Sequence, residues 1–176
     1  MLKDYLTKLK ILWLHPAEFF AAVPASSGMN EAVRFSALTG VLVALELGIV
    51  EALSGGSIGI VALVTLLMLA GMPLLVTVGV QLWSHFVRLC GFLLGESLPL
   101  EPLRQVTAYS TAGLVALGVG WGLGKWLVLA TFVFQFFGVE KVLRCSRWTA
   151  AVYVGLPFSI VAVLAGLSTL MFKVFK

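Results

Sequence analysis

The chain has 176 residues, of which 60% are hydrophobic and only 11% charged, with 12 Lys and Arg against 8 Asp and Glu for a formal net charge of +4. Soluble domains run at about 45–50% apolar and about 25% charged, so a mean hydropathy of +1.06 excludes an ordinary water-soluble globule and predicts an integral membrane protein. The basic residues stand at the ends of apolar runs and are not interleaved with aromatics, so the excess charge points to membrane topology and no nucleic-acid partner is expected.

At the amino terminus Leu2, Tyr5, Leu6, Leu9, Leu12 and Trp13 recur at helical spacing while Lys3, Asp4, Lys8 and Lys10 take other faces. This pattern predicts an amphipathic helix that either lies in the membrane interface or packs on the cytoplasmic face of its own bundle. Charges scattered to Lys10 and the polar break at His15 argue against a cleavable signal peptide, and Pro16 is placed to open a second short helix. Residues 1–30 therefore read as an interfacial segment and 31–176 as a transmembrane domain.

A bilayer-crossing helix needs about 20 mostly apolar residues, and five such runs are predicted, an all-α membrane bundle. The first runs from Ser36 to Leu53, contains Glu46 and ends at the turn Ser54-Gly55-Gly56-Ser57. A second begins at Ile58, passes Gly71-Met72-Pro73 and reaches Trp83, with the helix continuing through Ser84–Leu94 before Gly95. The apolar stretch Thr107–Val139 is long enough for two runs if Gly118 to Trp126 forms a hairpin, and the alternating glycines 118, 120, 122 and 124 allow close helix approach there. The last run, Trp148 to Phe172, carries Pro157 as a kink.

Cytoplasmic loops retain Lys and Arg. With five crossings and the amino terminus inside, nine of these residues fall on the cytoplasmic side and three, Lys125, Lys173 and Lys176, on the other. The carboxyl terminus is then outside, and Cys90 and Cys145 lie at the reducing face as free thiols. Their number and spacing suit neither a disulfide framework nor a zinc site.

Several short elements resemble bacterial members of the Yip domain family, named for Ypt/Rab-interacting proteins. These are His15-Pro16-Ala17-Glu18-Phe19-Phe20, Leu93-Leu94-Gly95, Arg104-Gln105-Val106-Thr107-Ala108-Tyr109-Ser110, Gly138-Val139-Glu140-Lys141-Val142 and Trp148-Thr149-Ala150. In order and spacing they cover most of the chain. Two departures concern the local backbone: Thr111-Ala112-Gly113 stands where members often have a proline, and one glycine, Gly95, stands where a pair is usual. The resemblance implies a five-span helical domain with a cytoplasmic amino terminus, residing in a bacterial inner membrane. Eukaryotic members associate with Rab GTPases in vesicle transport, so a trafficking-like or membrane-organising role is the corresponding expectation.

Candidate sites are few. Glu46 is a carboxylate inside an apolar run, which insertion disfavours by a few kcal/mol; it is either a protonatable site for a proton, cation or polar head group, or a hydrogen-bonded structural residue. Gln81, His85 and Arg88 fall at spacings of four and three and can share one helical face, either as a lipid-phosphate contact or as an end that snorkels to water. His85 and Cys90 lie five apart and do not align as metal ligands, and no nucleophile elbow or phosphate loop is present. The sequence therefore predicts a non-enzymatic protein without a cofactor, acting through membrane lipids and through protein partners or its own copies. The alternative is a small transporter or channel using Glu46.

Overall fold

The computed structural model describes residues 2–23, 29–119 and 124–174. Among these residues the structure is all-helical: α1 (Leu2–Leu14), α2 (Pro16–Ala22), α3 (Met29–Leu53), α4 (Ile58–Leu93), α5 (Leu100–Ser110), a 3-10 segment (Thr111–Val119), α6 (Gly124–Val142) and α7 (Arg147–Val174). Among the described residues, three helical stretches are long and apolar enough to cross a membrane: Asn30–Leu53, Ile58–Leu93 and Arg147–Leu164. The hairpin predicted at Gly118–Trp126 between the third and fourth runs falls partly outside the described residues, including Gly120 and Gly122, while Gly118 lies near the end of the 3-10 segment and Gly124 opens α6.

Helix ends follow local chemistry. α2 begins at Pro16, where the missing N–H has no intrahelical partner to lose. α3 and α4 both end on a left-handed glycine, Gly55 at φ 84° and Gly95 at φ 82°. In each case the amide after the glycine returns to a carbonyl five residues back, Gly56 to Glu51 at 3.3 Å and Glu96 to Gly91 at 3.0 Å, which satisfies carbonyls the helix end would leave open. A side chain at these φ values would be strained.

α4 carries 36 residues, about 54 Å at 1.5 Å per residue, against a hydrocarbon layer of about 30 Å. It is continuous through Pro73 and through Ser84–Leu93, so it projects well past one such layer. α3 and α4 pack side by side in antiparallel register. A Cβ on Gly40 would stand 2.7 Å from Cα of Pro73, and one on Gly48 would overlap the Thr65 side chain, so bare glycine backbone lets the two helices meet. The outward side of α4 is a row of leucines, among them Leu63, Leu66, Leu67, Leu74, Leu75 and Leu82, all more than half exposed. A surface of that extent suits lipid and not water.

The core lies towards the other end and includes the amino-terminal helices. Tyr5 and Leu12 of α1 and Phe19 and Phe20 of α2 belong to the same buried cluster as Phe35, Val87, Leu103, Tyr109, Phe134, Val139 and Tyr153. Rings link them: Tyr5 to Phe35 at 4.7 Å, Phe35 to Tyr109 at 5.0 Å and Phe19 to Tyr109 at 5.1 Å. The Phe20 ring approaches to 3.0 Å of where a Gly138 Cβ would stand, which seats α2 directly on α6.

Candidate functional site

A cavity of about 420 Å³ opens between α4, α5 with its 3-10 extension, α6 and α7. Met72, Leu75, Val76, Gly79, Val80 and Trp83 line it from α4, a stripe at helical spacing that covers eleven residue steps, or about 16 Å. Leu75 is 64% exposed, so the cavity borders the leucine-covered outer side of α4.

Its polar groups gather at the Trp83 end. Trp83 Nε1 donates to Oε1 of Gln135 across 2.8 Å. An indole N–H can only donate, which fixes the Gln135 amide with its oxygen towards Trp83 and its NH2 turned away. Gln135 is 1% exposed, and its Nε2 has no hydrogen-bond partner among the described residues; neither has the buried hydroxyl of Thr131, one turn earlier on α6. Across the cavity Thr107, Ser110 and Thr111 spend their hydroxyl hydrogens on carbonyls of their own turn, Leu103, Val106 and Ala108, at 2.8, 2.8 and 2.6 Å. Their oxygens remain acceptors. The wall is thus apolar along most of its length, with two unsatisfied donors at one end.

Glu46 is half-buried on α3 and does not line this cavity. It lies close enough to α1 to influence Tyr5, whose hydroxyl burial pushes above its ordinary pKa; the bond to Thr39 opposes that rise and the Glu46 charge adds to it. Tyr5 Oη and Thr39 Oγ1 are 3.1 Å apart. Thr39 commits its own hydrogen to the Phe35 carbonyl at 3.0 Å, so Tyr5 is the donor.

Gln81 is half-buried while His85 and Arg88 are exposed. At 3.6 residues per turn their shared face is turned about half a turn from the cavity stripe on α4. The partner the structure gives His85 is Arg104 of α5, with Nη2 3.1 Å from Nε2. A guanidinium only donates, so His85 accepts at Nε2 and carries its proton on Nδ1. Arg104 therefore joins this group, a pairing between helices that no spacing within one helix reveals. The buried Arg104 Nε has no hydrogen-bond partner among the described residues.

Two further cavities flank the polar end of the bundle. One of about 330 Å³ is bordered by Lys8, Glu18, Phe19, Glu31, Gln105 and Tyr109; Lys8 pairs with Asp4 at 3.0 Å and also with Glu31, which ties α1 to the start of α3. Another of about 490 Å³ includes Glu96, Ser97, Cys145, Ser146 and Tyr153. Burial pushes the Cys145 thiol up; a backbone hydrogen bond opposes this in part, and the nearby Glu140 charge adds to the rise. Glu140 itself is held below its ordinary value: burial acts upward, but hydrogen bonds and charge from Lys141 at 3.2 Å and Arg147 at 3.3 Å outweigh it.

No motif in the sequence singles out Gln135, Thr131 or Trp83. Gln135 was nevertheless visible as an amide inside the apolar run of α6, the kind of residue that glues membrane helices. No protein-family model, curated protein or solved structure matches the chain.

Proposed function

We propose that this chain is a non-enzymatic multi-pass protein of a bacterial inner membrane that organises lipids and protein partners at the cytoplasmic face. In this reading it crosses the bilayer five times: α3, α4, α5 with the 3-10 segment, the apolar part of α6 up to Val139, and α7. The third crossing is the apolar part of α5 from Thr107 together with the 3-10 segment. The amino terminus lies inside and the carboxyl terminus outside, as the distribution of Lys and Arg requires. The Yip-like elements suggest the trafficking-like character of the role.

The observation that carries the reading is the divided apolar side of α1. Tyr5 and Leu12 are buried in the bundle, whereas Leu2 and Leu6 are 57% and 48% exposed and flanked by exposed Lys3 and Lys10. A helix docked along one edge, with leucines beside it and lysines above them, suits the boundary between acyl chains and anionic head groups. Each such lysine contributes about 1 kcal/mol of attraction to an anionic leaflet. The test is the composition of lipid retained by purified protein. Wild type is expected to be enriched several-fold in anionic phospholipid over the bulk membrane, and Lys3→Glu/Lys10→Glu to lose that enrichment; equal composition in both proteins removes the reading. The alternative, a transporter using Glu46, requires protein-dependent ion or proton flux into liposomes that a folded Glu46→Gln variant lacks.

A further inference from the structure

We infer that the cavity between α4, α5, α6 and α7 holds one acyl chain of a membrane phospholipid, with the chain's ester carbonyl accepting a hydrogen bond from the Gln135 amide. The inference rests on the reading that these helices cross a bilayer, and it concerns a different face from the α1 surface.

Three observations converge on this occupant. The first is shape and polarity: Met72, Leu75, Val76 and Gly79 line an apolar channel that runs about 16 Å from Met72 to Trp83, and a volume of about 420 Å³ is within the range of small-molecule sites. The second is the unmet demand at its end. A buried amide donor without a partner costs about 1–3 kcal/mol, and because Trp83 holds Oε1, the Gln135 NH2 can be satisfied only by an acceptor. Thr131 adds a second buried donor beside it. An ester carbonyl at the head of a long apolar chain supplies both parts of the match.

The third is depth. Glu140, bonded to Lys141 and Arg147, marks the charged boundary on α6. Gln135 precedes it by five residues, about 7.5 Å of helix rise. The polar layer on each side of a bilayer is about 5–7 Å thick, so Gln135 stands where head groups give way to acyl chains, which is the level of the ester groups. The exposed flank at Leu75 gives the chain a sideways route from the bilayer.

The experiment reconstitutes the full chain in nanodiscs with a phospholipid carrying a photoactivatable diazirine at mid-chain, in ester-linked and matched ether-linked forms, and maps adducts by mass spectrometry. Expected are adducts at Met72 and the buried Val76 in several-fold excess over the lipid-facing Leu66 and Leu67, with the ester form labelling about two- to tenfold more than the ether form, the value of one hydrogen bond. Gly79→Leu places a side chain in the cavity, and since no atom lies within 4 Å of its Cβ position, the variant should fold. It should remove adducts at Met72 and Val76 and leave Leu66 and Leu67 unchanged. In Gln135→Leu the ester and ether forms should label equally. Uniform labelling along α4, labelling indifferent to Gly79→Leu, or equal ester and ether labelling in the wild type would each overturn the proposal. Retained-lipid composition reads the α1 surface separately, so failure of one proposal is distinguishable from failure of the other.

Discussion

Trp83 and Gln135 are 52 residues apart in sequence and joined by a 2.8 Å hydrogen bond that couples α4 to α6. Removing either partner leaves a polar group buried without its bond, whereas removing both leaves an apolar contact. Trp83→Phe and Gln135→Leu are each expected to lower stability by about 1–2 kcal/mol, and the double variant by clearly less than their sum. Unfolding of the four proteins in mixed detergent micelles, read as a double-mutant cycle, checks this; strict additivity would show the bond contributes nothing.

The α3–α4 contact gives an ordered pair of outcomes. A methyl at Gly40 meets rigid backbone, Pro73 Cα at 2.7 Å and the Met72 carbonyl at 2.8 Å, while one at Gly48 meets chiefly the Thr65 side chain. Gly40→Ala should therefore cost about 2–3 kcal/mol, in the range of overpacking, and Gly48→Ala less. Adding Thr65→Ala should recover Gly48→Ala and do nothing for Gly40→Ala. Thermal unfolding in detergent ranks the variants, and the reverse order would contradict the contact.

Docking of α1 and α2 depends on side chains that penetrate the bundle. Leu12 is 0% and Phe20 1% exposed, so Leu12→Ala and Phe20→Ala should each weaken docking by about 2–4 kcal/mol. Limited proteolysis should then cut within residues 2–23 at a markedly higher rate while the rest of the chain stays protected. Unchanged protection would mean that these helices are held by other contacts.

Glu140 provides a pH test. Its folded pKa lies below the ordinary 4.5, so its ion pairs stabilise the fold fully above that value and lose their effect as pH falls through the folded pKa. The stability difference between wild type and Glu140→Gln should thus be constant from pH 7 to about 5.5 and shrink below about 4.5. Because Arg147 is 80% exposed, the difference at neutral pH should be only about 1 kcal/mol. A difference that grows on acidification would reverse the sign and reject the assignment.

That the chain holds helices long and apolar enough to cross a membrane was legible in its apolar runs, and so were the glycine stops at Gly55 and Gly95 and the helix start at Pro16. These are local properties: hydropathy, φ preference and a missing N–H act on a few neighbouring residues whatever the rest of the chain does. The extent of α3 differed, beginning at Met29 and not Ser36, because polar residues continue a helix once neighbouring elements satisfy them. Gln81, His85 and Arg88 share a face as their spacing requires, yet the partner of His85 is Arg104 on another helix.

What the tertiary structure decided is pairing. Helical spacing within α6 does not bring Gln135 to Trp83, and nothing local to α2 announces that Phe20 lies against Gly138. The sequence by itself determined which segments are apolar and where several helices begin and end, since those follow from short-range backbone and solvation chemistry. Which buried donors found acceptors, and which at Gln135 and Thr131 did not, was settled only when four helices met around one cavity, because a hydrogen bond needs both partners in place.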